Sequence, residues 1–388
     1  MLENLETRNF LSASVSGNHL TITGTSGNDV ITLSQTSTKY VVVINGAQQQ
    51  FNIGDVASSL GITIDCGDGN DSATVDLSVQ QGVFMNGDDG NDTLVGGSGT
   101  DDFHGGAGDD TMQGRTGGDL YNGDTGFDTV TYAEKTAPLF ISWDGATNDG
   151  ELNEGDTILD TIDLVIGGTG NDTIDASQSP SPKVMYGNSG NDTIIGSQFN
   201  DRIVGNAGND SMSGGDGNDS MLGNDGVDVY SGGAGTDLAD FYYTSRALTL
   251  SIDGVANDGY TGSGKANIKS DIELVYGGQG NDKITGSNNN DVLYGQSGND
   301  TLLGLGGNDQ IKASSGNDSM DGGAGNDSLY GSNGNDTLIG GTGNDSLLGE
   351  AGDDKFSAQD GSIDTLNGGT GTDSILSKDS NDVLSLIP

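Results

Sequence analysis

Positive charge is what this sequence most lacks. Lysine and arginine total 13 in 388 residues against 58 acidic residues, a formal net charge of -45. Such a chain repels nucleic acid and anionic membrane surfaces and attracts cations. Cysteine occurs once, at Cys66, so no intramolecular disulfide can form. Cys66 reads as a small residue tolerated in a turn. The two histidines, His19 and His104, read as ordinary surface or turn residues. With so little Cys and His, a zinc site has no ligands to draw on. No apolar run approaches the roughly 18 residues of a membrane span. Apolar residues make up 31% and aromatics 5%, too few for a thick hydrophobic core. The N-terminal "MLENLETRNFLSAS" carries acids and no apolar stretch, unlike a conventional signal peptide.

Glycine and aspartate are abundant instead. Glycine reaches 69, and seven of the 58 acids are Glu, leaving 51 Asp. Low hydrophobicity with high charge describes a disordered chain, but this chain has a period. Its aspartates recur every nine residues in three arrays. The first holds Asp92, Asp101, Asp110, Asp119 and Asp128. The second holds Asp192, Asp201, Asp210, Asp219, Asp228 and Asp237, with Asp172 as an outrider. The third holds Asp282, Asp291, Asp300, Asp309, Asp318, Asp327, Asp336, Asp345 and Asp354, and continues through Asp364, Asp373 and Asp382 after a one-residue slip. A bulky apolar residue usually stands two places after each, as at Leu94, Met112, Leu302 and Leu338. The unit is G-G-x-G-x-D-x-U-x, with U apolar.

The glycine half needs left-handed backbone, which Gly adopts freely and Asn tolerates. The x-U-x half predicts a short strand with one inward side chain. One such strand buries nothing alone, whereas stacked coils do. Two units make an 18-residue coil, placing Asp300, Asp318, Asp336 and Asp354 along one edge. Carboxylates at the strand spacing of about 5 Å repel, so the stack calls for a hard cation between coils. Ca²⁺ accepts six to eight oxygens, carboxylate and carbonyl alike, and suits such a cage better than Mg²⁺.

These residues resemble the RTX proteins, whose hemolysin-type calcium-binding nonapeptide is G-G-x-G-x-D-x-U-x. "GGAGNDSLY" and "GGTGNDSLL" match at every defined position. The resemblance implies an all-β, right-handed parallel β-roll or β-solenoid. It implies rows of Ca²⁺ held by the sixth-position aspartates, taken here as Asp92 through Asp354 above together with Asp373, and by carbonyls of the glycine turns. Relatives of this kind are usually exported through a C-terminal signal read by a type I system, and "VLSLIP" is compatible with one. Several repeats depart from the pattern: Asn200-Asp201 and Asn290-Asp291 lack the fourth glycine, and Ala313-Ser314 and Ala358-Gln359 replace the leading pair. Weak or empty sites are expected there.

The organisation read from the sequence is a leader-like segment (1–14), an N-terminal β-solenoid cap (15–86), array 1 (87–131), a β-rich insert (132–166), array 2 (167–240), a second insert (241–276) and array 3 (277–388). The inserts look like copies: "LFISWDGATNDG" parallels "LTLSIDGVANDG". Their acidic turns, Asp144-Asn148-Asp149 and Asp253-Asn257-Asp258, read as solvated turns, with a further Ca²⁺ site as the sharper alternative. No H-E-x-x-H or G-x-S-x-G string is present, and no stretch is left for a catalytic globule. The expectation is a secreted, non-enzymatic, calcium-binding β-roll that folds on Ca²⁺ outside the cell, with a structural, cell-surface or matrix role. The alternatives are an adhesin-like or carbohydrate-binding solenoid, or the non-catalytic repeat region of a toxin- or enzyme-type RTX protein. A polysaccharide role calls for exposed aromatics, and Tyr186, Tyr230, Tyr276, Tyr294 and Tyr330 recur next to glycine.

Overall fold

The x-U-x segments form strands because alternation gives each one a single inward residue. The computed structural model describes residues 12–57, 61–260 and 266–386. Most of the leader-like segment and the last two residues of the C-terminal segment therefore lie outside the described residues. Contacts divide the chain into two units at Thr193/Ile194. Each is a parallel β-solenoid, and no α-helix occurs among the described residues.

In the second unit, Ile284, Leu302, Met320, Leu338 and Phe356 align strand upon strand, all in parallel register. Leu293, Ile311, Leu329, Leu347 and Leu366 align on the opposing sheet. All ten are fully buried. Each contributes about 1.5–3 kcal/mol of hydrophobic burial, so the core is a thin double file of side chains. The first unit repeats this with Met85, Phe103, Tyr121 and Ile158. Leu94, Met112, Val130, Val165 and Met185 face them.

Antiparallel strands begin the first unit. Ser12–Ser16 pairs with His19–Thr23, and Val30–Gln35, Lys39–Ile44 and Ala47–Asn52 form a meander. The run Val41–Ile44 alternates, with Val42 and Ile44 buried. Parallel stacking then starts from His19–Thr23 onto Ile62–Asp65 and from Val30–Gln35 onto Ser72–Val75.

The two insert stretches repeat one motif. Leu139–Ser142 pairs antiparallel with Gly150–Glu151 and parallel with Thr173–Asp175. Leu248–Ser251 does the same with Gly259–Tyr260 and Lys283–Thr285. The acidic turns are solvated at Asp144, Asn148, Asp253 and Asn257, as expected, but their last carboxylates, Asp149 and Asp258, are buried and fully engaged by backbone and serine donors. Buried Asp149 accepts the Ser142 N–H and Oγ–H on Oδ1 and the Ile158 N–H on Oδ2. Asp258 accepts the equivalent three donors, from Ser251 and Ile268. Both aspartates pin the insert backbone.

Candidate metal centre

Along the Asp300 edge, each aspartate amide donates to Oδ1 of the aspartate one coil further on. Asp282 donates to Asp300 at 2.7 Å, Asp300 to Asp318 at 2.7 Å, Asp318 to Asp336 at 2.8 Å and Asp336 to Asp354 at 2.9 Å. The opposite edge repeats this from Asp291 through Asp309, Asp327 and Asp345. One carboxylate oxygen is thus neutralised in part by an amide hydrogen, which lets the stack close. The other is not. Oδ2 of Asp300, Asp309, Asp318, Asp327, Asp336, Asp345, Asp354 and Asp373 is buried with no hydrogen-bond partner. The same holds for Asp92, Asp110, Asp119, Asp128, Asp219 and Asp237. Asp192 and Asp228 take the same ladder position, accepting from Asp172 and Asp210.

These oxygens converge with main-chain carbonyls. A Cβ built on Gly331, the first residue of its turn, would lie 2.4 Å from Asp336 Oδ2 and 2.8 Å from Gly349 O of the next coil. At Gly304 the distances are 2.3 Å to Asp309 Oδ2 and 2.4 Å to Gly322 O; at Gly322 they are 2.4 Å to Asp327 Oδ2 and 2.6 Å to Gly340 O. A side chain at these glycines would collide with both oxygens, so only glycine there lets a carboxylate and a main-chain carbonyl, hard donors of the kind Ca²⁺ takes, close in on the same turn. Among the described residues no three His, Cys, Asp or Glu side chains converge as a metal cluster, and a cradle of one carboxylate with carbonyls requires none. The donors are all hard oxygens, which fits Ca²⁺ and disfavours zinc. Ala313 and Ala358 take the place of the leading glycine before Asp318 and Asp364, and Oδ2 of both aspartates is again buried without a partner.

Not every aspartate in the rows is free to act. Oδ2 of Asp101, Asp172, Asp201, Asp282 and Asp291 accepts the N–H of the residue four places earlier, at 2.5–2.8 Å. In these closed turns the second residue lacks positive φ. In the open turns it has it: Gln296, Leu305, Ser332 and Glu350 lie at φ 72–77°, which swings their amides off the carboxylate. Left-handed backbone therefore falls on the second and fourth turn residues, not on the Asn before Asp. That Asn has a different use. Asn317 N–H donates to Asn299 Oδ1, and Asn335 N–H to Asn317 Oδ1. This ladder runs opposite in sense to the aspartate ladder beside it.

The rows also contain residues absent from the sequence-based set. Asp71 and Asp29 extend one row, and Asp156 accepts the Asp119 N–H at 2.8 Å. Asp163 accepts from Asp128, and Glu273 from Asp237. The glycine half is lost at Asp156, Asp163 and Glu273, but the acid-x-U half persists in "DTI", "DLV" and "ELV". Lys183 interrupts a row. Thr129, Leu164 and Val184 are aligned, so Asp128, Asp163 and Lys183 succeed one another. The buried Lys183 Nζ donates to Asp160 O at 2.9 Å and Ile162 O at 2.7 Å, beneath the Trp143 ring at 5.6 Å. A side-chain ammonium here binds carbonyls of the neighbouring turn.

Burial governs the electrostatics. It is the main cause that raises Asp110, Asp300, Asp309 and Asp336 to about 7, with neighbouring carboxylates adding to it. Asp119 rises to about 8 through burial and the charges of Asp156 and Asp101. Cys66 is fully buried and its thiol is pushed well up, chiefly by burial, so it is an inert packing residue.

The fold and its hydrogen-bond ladders define a parallel repeat solenoid with rows of buried aspartate along its turns. The family model for the RTX calcium-binding nonapeptide repeat matches residues 21–34, 84–130, 159–178, 186–239 and 270–385 in overlapping copies. The matches cover well over half of the chain, which belongs to the RTX calcium-binding nonapeptide repeat family. A comparison with curated proteins finds no match.

Proposed function

We propose that the chain is a secreted calcium-binding β-roll that completes its folding on Ca²⁺ outside the cell and serves a structural role at a cell surface or in a matrix. One observation carries this reading: buried Asp Oδ2 atoms without partners, with a glycine carbonyl of the next coil close by at Asp92, Asp110, Asp219, Asp309, Asp327, Asp336 and Asp354. Leaving a buried carboxylate oxygen unpaired is costly, and 13 basic residues cannot supply the missing charge. The open turns, at Asp92, Asp110, Asp119, Asp128, Asp192, Asp210, Asp219, Asp228, Asp237, Asp300, Asp309, Asp318, Asp327, Asp336, Asp345, Asp354 and Asp373, each with positive φ at its second residue, are the primary sites. The closed turns at Asp101, Asp172, Asp201, Asp282 and Asp291 are secondary. Ca²⁺ supplies the positive charge, and the carboxylates and carbonyls hold it between coils.

The extracellular placement is supported by the repeat family, whose members are typically secreted. Extracellular calcium modules work at about 0.1–1 mM, a concentration found outside cells rather than in the cytosol. No helix among the described residues is long and apolar enough to cross a membrane. The reading assigns the chain no catalytic role. A circular-dichroism titration from chelator to millimolar Ca²⁺ tests it. Gain of β structure with a midpoint below about 1 mM is expected, and an unchanged spectrum would reject it.

A further inference from the structure

The two inserts are copies that diverge, among other positions, in one cluster of side chains. Thr169 N–H donates to Lys135 O, and Gln279 N–H donates to Thr244 O, so Lys135 and Thr244 are equivalent. Glu151 pairs with Leu139 as Tyr260 pairs with Leu248. On this alignment Ala133, Glu134, Ala137 and Glu151 of the first insert become Tyr242, Tyr243, Arg246 and Tyr260 of the second. Three tyrosines and an arginine replace small and acidic residues.

Three of these four line one open cavity of about 460 Å³. Tyr243 is 75% exposed and stands edge-on to Tyr242 at 5.2 Å between ring centroids. The Arg246 guanidinium lies 4.4 Å over the Tyr260 ring. The floor is the edge of the solenoid, with Asn206, Asn224 and Asp225. Asn206 and Asn224 lie at φ 72° and 67°, and Asn224 Nδ2 donates to Asn206 Oδ1 at 3.3 Å. The wall is held in place: Tyr242 N–H donates to Asp240 Oδ1, Thr244 N–H to Phe241 O, and Phe241 packs on buried Tyr230 at 5.3 Å. The five tyrosines that recur next to glycine are not the exposed ones. Tyr230 is buried, and Tyr186, Tyr276, Tyr294 and Tyr330 are half-buried.

We propose that this cavity is a binding site for a neutral saccharide. Tyrosine rings offer rigid apolar faces at low entropic cost, which match the C–H face of a pyranose. Asn, Asp and Arg side chains are planar and polar, and their paired donors and acceptors suit adjacent hydroxyls. Asp225 within the cavity and the chain's net charge of -45 repel an acidic polymer. Arg246 is the cavity's cation, and it lies on Tyr260, which orients its N–H edge. Tyr243, Arg246 and Tyr260 have no part in the calcium reading, whereas Asn206, Asn224 and Asp225 belong to the turns of Asp210 and Asp228, so the site rests on that reading in that those coils must be assembled.

The test uses the full chain in millimolar Ca²⁺, titrated calorimetrically with dextran, mannan and galactan, and with polygalacturonate as the acidic arm. Binding of at least one neutral polymer is expected. Tyr243→Ala and Arg246→Ala should each weaken it roughly tenfold or more, the effect of removing an aromatic or arginine anchor. Glu134→Ala, at the equivalent place in the first insert, should leave it unchanged. Failure of all three neutral polymers, binding of polygalacturonate alone, or binding indifferent to both variants overturns the proposal. The calcium-induced circular-dichroism change of each variant separates loss of the site from loss of the fold.

Discussion

Replacing Asp336 by Asn separates the two tasks of one carboxylate. Its Oδ1 accepts the Asp318 N–H at 2.8 Å, and its Oδ2 faces the cradle with Gly349 O. Asn keeps an acceptor for the amide and removes the charge from the cradle. Asp336→Ala removes both. With Ca²⁺ at about ten times Kd, one site contributes RT ln(1 + [Ca]/Kd), about 1.4 kcal/mol. Asp336→Asn should cost that amount in Ca²⁺ and lower the stoichiometry by one ion. Asp336→Ala should cost about 1–3 kcal/mol more, because a buried amide loses its acceptor. In chelator the sign reverses for Asn. Burial raises the Asp336 carboxyl to about 7 in the metal-free fold, so above that pH its charge opposes folding and a neutral amide relieves it. The assay is denaturant unfolding followed by circular dichroism, with and without Ca²⁺, beside calorimetric stoichiometry. Equal costs for Asn and Ala in Ca²⁺, or an unchanged stoichiometry for Asn, would refute the division of labour between the two oxygens.

Gly322→Ala places a Cβ 2.4 Å from Asp327 Oδ2 at a residue without positive φ. It should remove one ion by calorimetry while preserving the β spectrum, as Ala313 already shows the fold accepts alanine at that position. For pH, the buried aspartates have folded-state values above their unfolded ones, so the folded chain binds more protons between about pH 4 and 7. Their unfavourable contribution is absent below the unfolded value and grows as pH rises to about 7, so in chelator β structure should increase as pH falls from about 8 to 5. A flat circular-dichroism signal across that range would contradict this. Lys183→Met removes the ammonium from Asp160 O and from Ile162 O, the latter keeping the Trp143 Nε1–H. It should cost roughly 1–3 kcal/mol by denaturant unfolding, equally at saturating and at subsaturating Ca²⁺, since the lysine rather than an ion serves those carbonyls.

Much of the arrangement was legible beforehand. The nine-residue aspartate period and the apolar residue two places on dictate stacked coils, because one inward side chain per strand buries nothing until another lies above it. Rows of aspartate with no counter-charge likewise dictate a cation. What escaped sequence reading were the residues that keep a row position without the glycines, namely Asp156, Asp163 and Glu273, and Lys183, whose type runs against the row. The inserts' buried aspartates also escaped, since a carboxylate that pins backbone amides and one in a solvated turn have the same spelling.

The limit is clearest in one hexapeptide that occurs twice. GGTGND stands at residues 167–172 and again at 340–345. At the second copy Gly341 has φ +101°, and Asp345 Oδ2 is buried without a partner. At the first copy Gly168 has no positive φ, and its N–H donates to Asp172 Oδ2 at 2.7 Å, closing the turn. Composition and period determine that both segments turn and that both aspartates join a row. The neighbouring coil determines which turn opens. Gly341 rests against Gly323 of a regular glycine turn, whereas Gly168 rests against Lys135 of the insert, whose carbonyl takes the Thr169 N–H. A glycine backbone has nearly equal energies in either conformation, so the choice passes to whatever packs against it.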